Sequence, residues 1–226
     1  MLRLSLDFGD ILNIKEAFMS DILIRPYRAS DYDQVIQLMV DAFYNKIASL
    51  GNFTKAEIIL LFDALDVIPN DNFEGIYVAH DEKKILGVVT LKWKDQQAHE
   101  IKWGEALKKL YKSFGVFKSS KALVGLSLLE HTLEKDECYI DNIAVSSEAR
   151  GKGIGTLLLK KAHEISTDLA FHHGNVRRLT LHVVESNDRA KKLYEKFGFT
   201  TCRTDTSLLM KHLINEETAY FMEMSV

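Results

Sequence analysis

The chain is 226 residues long, 46% apolar and 27% charged, with a formal net charge of −3. That length can bury a sizeable core as one large domain, or as a domain with an insertion. The mild acidity argues against a general nucleic-acid binder, which carries a basic field. Two cysteines in no metal-ligand spacing, Cys138 and Cys202, argue against a secreted disulfide scaffold and fit a reducing cytosol.

Asp7 and Asp10 interrupt any basic-then-apolar leader pattern, and residues 1–18 read as an extension ahead of a natural chain start at Met19. Ile22–Tyr27 is a short strand stopped by Pro26. Ser30 and Asp31 offer an N-cap for a helix carrying Val35, Ile36, Met39, Phe43 and Ile47 at helical spacing and ended by Gly51. Thr54-Lys-Ala-Glu57 is a capping box that opens a second helix through Leu65. Gly75–His80 and Ile85–Trp93 form a hairpin about the polar turn Asp81–Lys84.

Lys94–Lys135 is a helical stretch with Trp103, Leu107, Leu110, Phe114 and Phe117 at roughly helical intervals and lysines opposite. The most apolar run in the chain, Ala122–Leu129, is far too short to span a membrane. Glu137–Val145 is a strand, and Ile154–Phe171 is a long helix closed by His172-His-Gly174. Arg178–Val184 alternates Leu179, Leu181 and Val183 as a strand. Asn187 and Asp188 cap a short helix carrying Ala190, Leu193, Tyr194 and Phe197, closed by Gly198. Thr200–Arg203 and Ser207–Lys211 form a last hairpin. No repeat or Pro/Ser-rich linker divides the chain. It therefore reads as an extension over 1–18, one domain over 19–215 with a helical insertion over 94–135, and a tail over 216–226. Both cysteines read as buried thiols packed as small hydrophobes.

The stretch Arg150-Gly-Lys-Gly-Ile-Gly155 joins the strand to the long helix. A strand that runs through a glycine-rich loop into a helix gathers free backbone N–H groups and a helix dipole at one spot, which is an anion site. The spacing excludes a P-loop, G-x-x-x-x-G-K-S/T. It also excludes a dinucleotide fingerprint, G-x-G-x-x-G, because Thr156 stands where the third glycine belongs. What remains is R-x-x-G-x-G. With its strand, this loop resembles the acyl-CoA pyrophosphate loop of the GNAT superfamily of N-acetyltransferases. The segment Asn187–Phe199 is similar to that family's N-x-x-A-x-x-x-Y-x-x-x-G-F helix nearly letter for letter, and the order of elements from about Ile22 to about Leu213 is similar as well.

The resemblance implies an α/β (α+β) fold with a central mixed, mostly antiparallel twisted sheet. That sheet would hold about six to seven strands flanked by helices, with a helical insertion between the third and fourth strands. It implies transfer of an acetyl group from acetyl-CoA to a primary amine by direct attack in a ternary complex. A non-catalytic acyl-CoA sensor or regulatory module on the same fold is the alternative. Arg150, Gly151, Lys152, Gly153, Ile154, Gly155 and Thr156 would hold the pyrophosphate. The backbone of Ile143, Ala144 and Val145 would pair with the pantetheine arm, and the Val145 N–H would polarise the thioester carbonyl. Tyr194 would be the general acid at the leaving thiolate, and Asn187 a helix cap that also meets the pantetheine.

A base must take a proton from the ammonium form of the amine. Glu137, Tyr139 and Asp141 alternate on one strand and so share a side. By resemblance the carboxylate that acts is at Glu137 or Asp141, with Asp141 nearer the thioester stretch. An ordinary solvated or ion-paired carboxylate, with a water chain as base, remains open. His163, His172 and His173 form no ligand pair, so no metal is expected. His182 reads as a solvated histidine that can line the acceptor side. Cys138 points away from Asp141, so no covalent intermediate is expected.

Two features depart from the family pattern. The insertion offers Trp93, Trp103, Tyr111, Phe114 and Phe117 as an acceptor wall, a buried packing face or a homodimer surface. The last hairpin is short, with Thr204-Asp-Thr206 between strands. No nucleic-acid or membrane partner is expected, and the expected location is cytoplasmic.

Overall fold

A computed structural model describes residues 22–71, 73–96 and 101–226. The extension read over 1–18 and the chain start read at Met19 lie outside the described residues. Strand β1 is Leu23–Pro26, followed by helices α1 (Tyr32–Ser49) and α2 (Lys55–Ala64) and the hairpin β2 (Ile76–His80) and β3 (Ile85–Trp93). Helix α3 (Trp103–Ser127) leads to β4 (Glu137–Val145), α4 (Ile154–His173), β5 (Arg178–Val184) and α5 (Asp188–Phe197). The chain then forms β6 (Thr200–Thr206), α6 (Leu208–Ile214) and β7 (Thr218–Ser225).

The seven strands form one mixed sheet in the order β1-β2-β3-β4-β5-β7-β6. Every neighbouring pair is antiparallel except β4 and β5, which α4 connects as a parallel crossover. Each face carries its own core. On one face Val35 and Met39 of α1, Ile58 and Leu61 of α2 and Met210 of α6 pack on Ile76, Val78, Val88 and Ala144. On the other, Ile154, Leu158 and Ala162 of α4 and Tyr194 of α5 pack on Val89, Leu91, Cys138, Ile140 and Leu181. A strand such as β3 is buried on both faces, and is apolar almost throughout for that reason.

Local chemistry sets several boundaries. The Thr54 hydroxyl accepts from the Glu57 N–H (3.3 Å) while the Thr54 N–H donates to Glu57 Oε2 (2.8 Å), closing the expected capping box. Asp81 Oδ1 accepts the N–H groups of Lys83 and Lys84, both at 2.8 Å, and folds the β2–β3 turn. Asp31 does not cap α1 in the expected way. A 3-10 turn over Ala29–Asp31 precedes the helix, and the Asp31 carboxylate takes the Arg25 guanidinium at 2.6 and 2.8 Å and the Arg28 N–H at 2.9 Å.

Three sequence expectations change. Ser207–Lys211 is not a strand: the Ser207 hydroxyl accepts from the Met210 N–H at 3.3 Å and opens α6, whose Met210 and Ile214 are buried four residues apart. The segment read as a tail supplies β7, which enters the sheet between β5 and β6. Thr218–Ser225 packs Ala219 on one face and Met222 on the other, so its side chains show no clean inside-outside alternation. The β6–β7 connection therefore carries a helix instead of a short turn.

The insertion's aromatics also fail to form one wall. α3 breaks at Gly115 (φ 73°), with the buried Ser119 hydroxyl donating to the Leu110 carbonyl across the break at 3.0 Å. Phe114 meets Phe53 edge-on at 5.2 Å, and Trp93 is buried in the opposite core. Trp103, Tyr111 and Phe117 are exposed. Cys202 is exposed on β6, whereas Cys138 is enclosed and burial pushes its thiol up to about 12.

Candidate active site

β4 ends at Val145 and the chain turns through Ser147–Ala149 into the glycine loop and α4. Gly151 (φ 79°) and Gly153 (φ 91°) occupy the left-handed region, where a side chain is strained. Gly153 is the N-cap of α4 and no side chain caps that end; no acidic residue stands in the first turn. The N–H groups of a 20-residue helix thus open onto the loop with the positive end of its dipole. A Cβ on Gly155 would lie 3.1 Å from Leu193 Cδ2, so glycine there lets α5 pack against the start of α4. Arg150 Nε donates to the Val145 carbonyl at 3.2 Å, tying loop to strand. Lys152 is exposed in the same turn, and Ile154 and Thr156 belong to the first turn of α4.

The β4–β5 ladder stops at Ile140–Leu181, yet β4 continues to Val145 and β5 to Val184. Asn142–Val145 stays paired to β3 on its other edge. The two parallel strands therefore part beyond Ile140, and the edge of β4 carrying Ile143, Ala144 and Val145 faces the opening. On the α1 side a cavity of about 430 Å³ opens between Leu38, Asp41 and Ala42 and the stretch Val145–Glu148. Within the described residues, the Ser146 hydroxyl lining that cavity is the one enclosed side-chain polar atom with no partner.

Tyr194 is 6% exposed on α5, and burial pushes its phenol up to about 12. Its ring lies 6.0 Å from that of Phe199, in the core on the α4 face of the sheet. Asn187 Oδ1 accepts from the Ala190 N–H at 3.3 Å, the expected cap.

Of the three alternating residues of β4, Glu137 and Tyr139 share His131 as a neighbour, and Asp141 stands at an irregularity. A bulge sets Thr90 opposite Asn142 and Leu91 opposite Ile140, leaving Asp141 as the extra residue. The Asp141 carboxylate pairs with Lys92 Nζ at 3.1 Å and accepts from Asn142 Nδ2 at 2.8 Å. Glu137 is fully enclosed instead of facing an acceptor. Its Oε1 lies 2.7 Å from His131 Nε2 and accepts the Glu134 N–H at 2.7 Å, while Oε2 accepts from the Thr180 hydroxyl at 2.9 Å. These partners occupy the carboxylate and close it from the parted strands.

Next to Glu137 lies a cluster that the sequence reading missed. The Tyr139 hydroxyl is 3.2 Å from His182 Nδ1, and His182 Nε2 is 3.6 Å from Asp205 Oδ2 on β6. The His131 ring stacks on Tyr139 at 4.3 Å, with Phe221 of β7 4.9 Å from the His182 ring. Burial and then the His131 charge lower the His182 pKa, against the raising influence of Asp205. Tyr139 is raised by burial first, then by the charges of Asp141, Glu137 and Tyr194. His182 is thus partnered and not simply solvated. Shared parity on adjacent parallel strands was the available signal for Tyr139 and His182; nothing local pointed to His131.

Among the described residues no cluster of three or more His, Cys, Asp or Glu side chains is arranged to hold a metal ion. None of their helices is long and apolar enough to cross a membrane.

Residues 32–199 match the model of the acetyltransferase (GNAT) family. A Bacillus subtilis protein assigned as a ribosomal protein bS18-alanine N-acetyltransferase is 34% identical over 90 residues, 36% of this chain and 56% of that one. A streptothricin acetyltransferase of Streptomyces lavendulae is 28% identical over 102 residues, 45% of this chain and 51% of that one. The chain thus spans about half the length of the curated relatives it matches. A solved GNAT family acetyltransferase from Elizabethkingia anophelis with acetyl-CoA bound shares the fold, with a TM-score of 0.51 over 92% of this chain and 99% of that one at 16% identity.

Proposed function

Because the chain belongs to the acetyltransferase (GNAT) family, we propose that it transfers an acetyl group from acetyl-CoA to a primary amine by direct attack in a ternary complex. The parting of β4 from β5 beside the uncapped start of α4 carries this reading. An extended pantetheine suits an open strand edge, and a pyrophosphate suits a helix start with left-handed glycines and no first-turn carboxylate. The solved relative holds acetyl-CoA, which is consistent with that donor.

Acetyl-CoA supplies an activated acetyl thioester. The backbone of Ile143–Val145 aligns the donor along β4, and the Val145 N–H is the donor aimed at the carbonyl oxygen. As the amine nitrogen bonds to the carbonyl carbon, the carbon–sulfur bond breaks and the thiolate departs. The Tyr194 phenol, protonated throughout the neutral range, donates to that sulfur. Asp141 provides negative charge for the arriving ammonium. Glu137 has a structural role in this scheme.

Two curated relatives are named for different acceptors, the alanine of ribosomal protein bS18 and streptothricin. Family membership therefore leaves the acceptor to be read from this chain's own activity. The test is a panel of small amines, amino-terminal peptides and lysine peptides with acetyl-CoA, read as free CoA thiol. Release that depends on one amine class supports the proposal. Binding of acetyl-CoA with no release across the panel favours the sensor reading.

A further inference from the structure

The insertion departs from the rest of the chain in charge as well as in position. The 26 residues from Lys102 to Ser127 carry six lysines and one acid, Glu105, a net charge of +5, whereas the other 200 residues carry −8. The mild acidity of the whole chain therefore averages two poles, and it does not exclude an anionic partner for the basic one. We propose that the outer face of α3 is a docking surface for an anionic lipid bilayer, met peripherally through its lysines, with Phe117 as an apolar anchor.

The two halves of α3 build this face. Ala106 and Leu110 of the first half and Ala122 and Gly125 of the second are buried against the domain. That leaves Lys108, Tyr111 and Lys112 (i, i+3, i+4) exposed on one half, and Phe117, Lys121 and Val124 (i, i+4, i+7) exposed on the other. At the break between them, a Cβ on Gly115 would meet nothing within 4 Å, so glycine there serves the left-handed backbone and not a close contact. The two residues just past the break, Val116 and Phe117, are 65% and 90% exposed. Such open apolar groups gain free energy from any apolar phase that covers them.

Not every lysine is available. Lys109 reaches Asp63 at 3.7 Å and Lys118 reaches Glu57 at 2.7 Å, so these two help seat α3 on α2. Lys108, Lys112 and Lys121 are exposed and form no ion pair among the described residues. Compact ammonium groups interleaved with exposed rings suit a surface that is anionic outside and apolar just beneath.

Other occupants fit less well. A second copy would set lysine against lysine across a two-fold axis, which is repulsive. A nucleic acid favours arginine forks, and residues 102–127 hold no arginine. Val116 and Val124 are exposed aliphatic groups that neither a base edge nor a phosphate rewards. A bilayer surface takes every kind of group present: ammonium at lipid phosphates, Trp103 and Tyr111 at the headgroup level, and Phe117 at the acyl boundary. Because none of the described helices is long and apolar enough to cross a membrane, the contact proposed is peripheral.

The test is cosedimentation of the full chain with vesicles of phosphatidylcholine alone and of phosphatidylcholine mixed with an equal part of phosphatidylglycerol. Binding should occur on the mixed vesicles and fall as salt is raised. Lys112→Gln combined with Lys121→Gln should weaken it by about 25-fold, the effect of two lysines at an anionic surface. Phe117→Ser should weaken it by about tenfold or more. These side chains are exposed, so the melting temperature of each variant should match that of the unsubstituted chain. In Phe117→Trp, indole emission should shift to the blue when mixed vesicles are added. Absence of binding, or equal binding to both kinds of vesicle, overturns the proposal. Tighter binding to single-stranded RNA than to mixed vesicles overturns it in favour of a nucleic acid. A dimer in solution that Phe117→Ser disperses overturns it in favour of a second copy.

Discussion

The carboxylate of Glu137 lies 2.7 Å from His131 Nε2, a contact between the first residue of β4 and the return of the insertion. Removing one member of an enclosed pair leaves the other without compensation. Glu137→Ala should therefore cost about 3–5 kcal/mol of unfolding free energy, measured by urea denaturation. Wild-type stability with lost turnover would instead return Glu137 to the list of acceptor-facing carboxylates.

Gly153→Glu adds a side chain where φ is 91° and puts a negative charge at the start of α4. Both effects oppose a bound pyrophosphate. Calorimetry should find acetyl-CoA binding abolished, while the melting temperature shows that the fold persists. Unchanged affinity would move the donor site elsewhere.

Tyr194→Phe removes one hydroxyl and little packing. Turnover should fall by about 100-fold, with acetyl-CoA affinity nearly unchanged. An acid works only while protonated, and burial pushes this phenol up to about 12. Tyr194 should therefore impose no alkaline loss of kcat below about pH 10. An inflection near 9 that vanishes in Tyr194→Phe would contradict the environment described.

The Arg25 hydrogen bonds hold the Asp31 carboxyl below the usual carboxylate range, outweighing the opposite effect of burial. A carboxyl that is more acidic folded than unfolded stabilises the fold above its unfolded pKa, about 4, and loses that contribution as pH falls through the folded value. Asp31→Asn should lower stability at pH 7 by about 1.5–3 kcal/mol and flatten the acid side of the stability curve. Parallel curves for the two proteins would refute the linkage.

What was legible in the sequence was local. The capping box at Thr54, the turn at Asp81, the glycine loop and the helix from Asn187 to Gly198 each state their geometry within a dozen residues, and each forms as expected. The losses were non-local. The bulge at Asp141 exists only in register with β3, so simple alternation grouped Glu137 and Tyr139, which do share His131, but could not show Asp141 as an extra residue. Thr218–Ser225 is covered on both faces, which erases the two-residue pattern that would have announced a strand. His131 sits in an irregular return after α3, and only the folded chain brings it to Glu137 and Tyr139.

The position of β7 has a consequence for how this molecule is made. Among the described residues β6 pairs only with β7, and Phe221 of β7 stands opposite His182 of β5. During synthesis from the amino terminus, β5 and β6 emerge before the strand that joins them and must wait, with an open edge between them, for Thr218–Ser225 to arrive. Long-separation pairings of this kind slow folding and expose strand edges to other chains. The glycine loop and its helix can be complete while the β5–β7–β6 side of the sheet is not, so a stalled nascent chain would hold only half of its sheet.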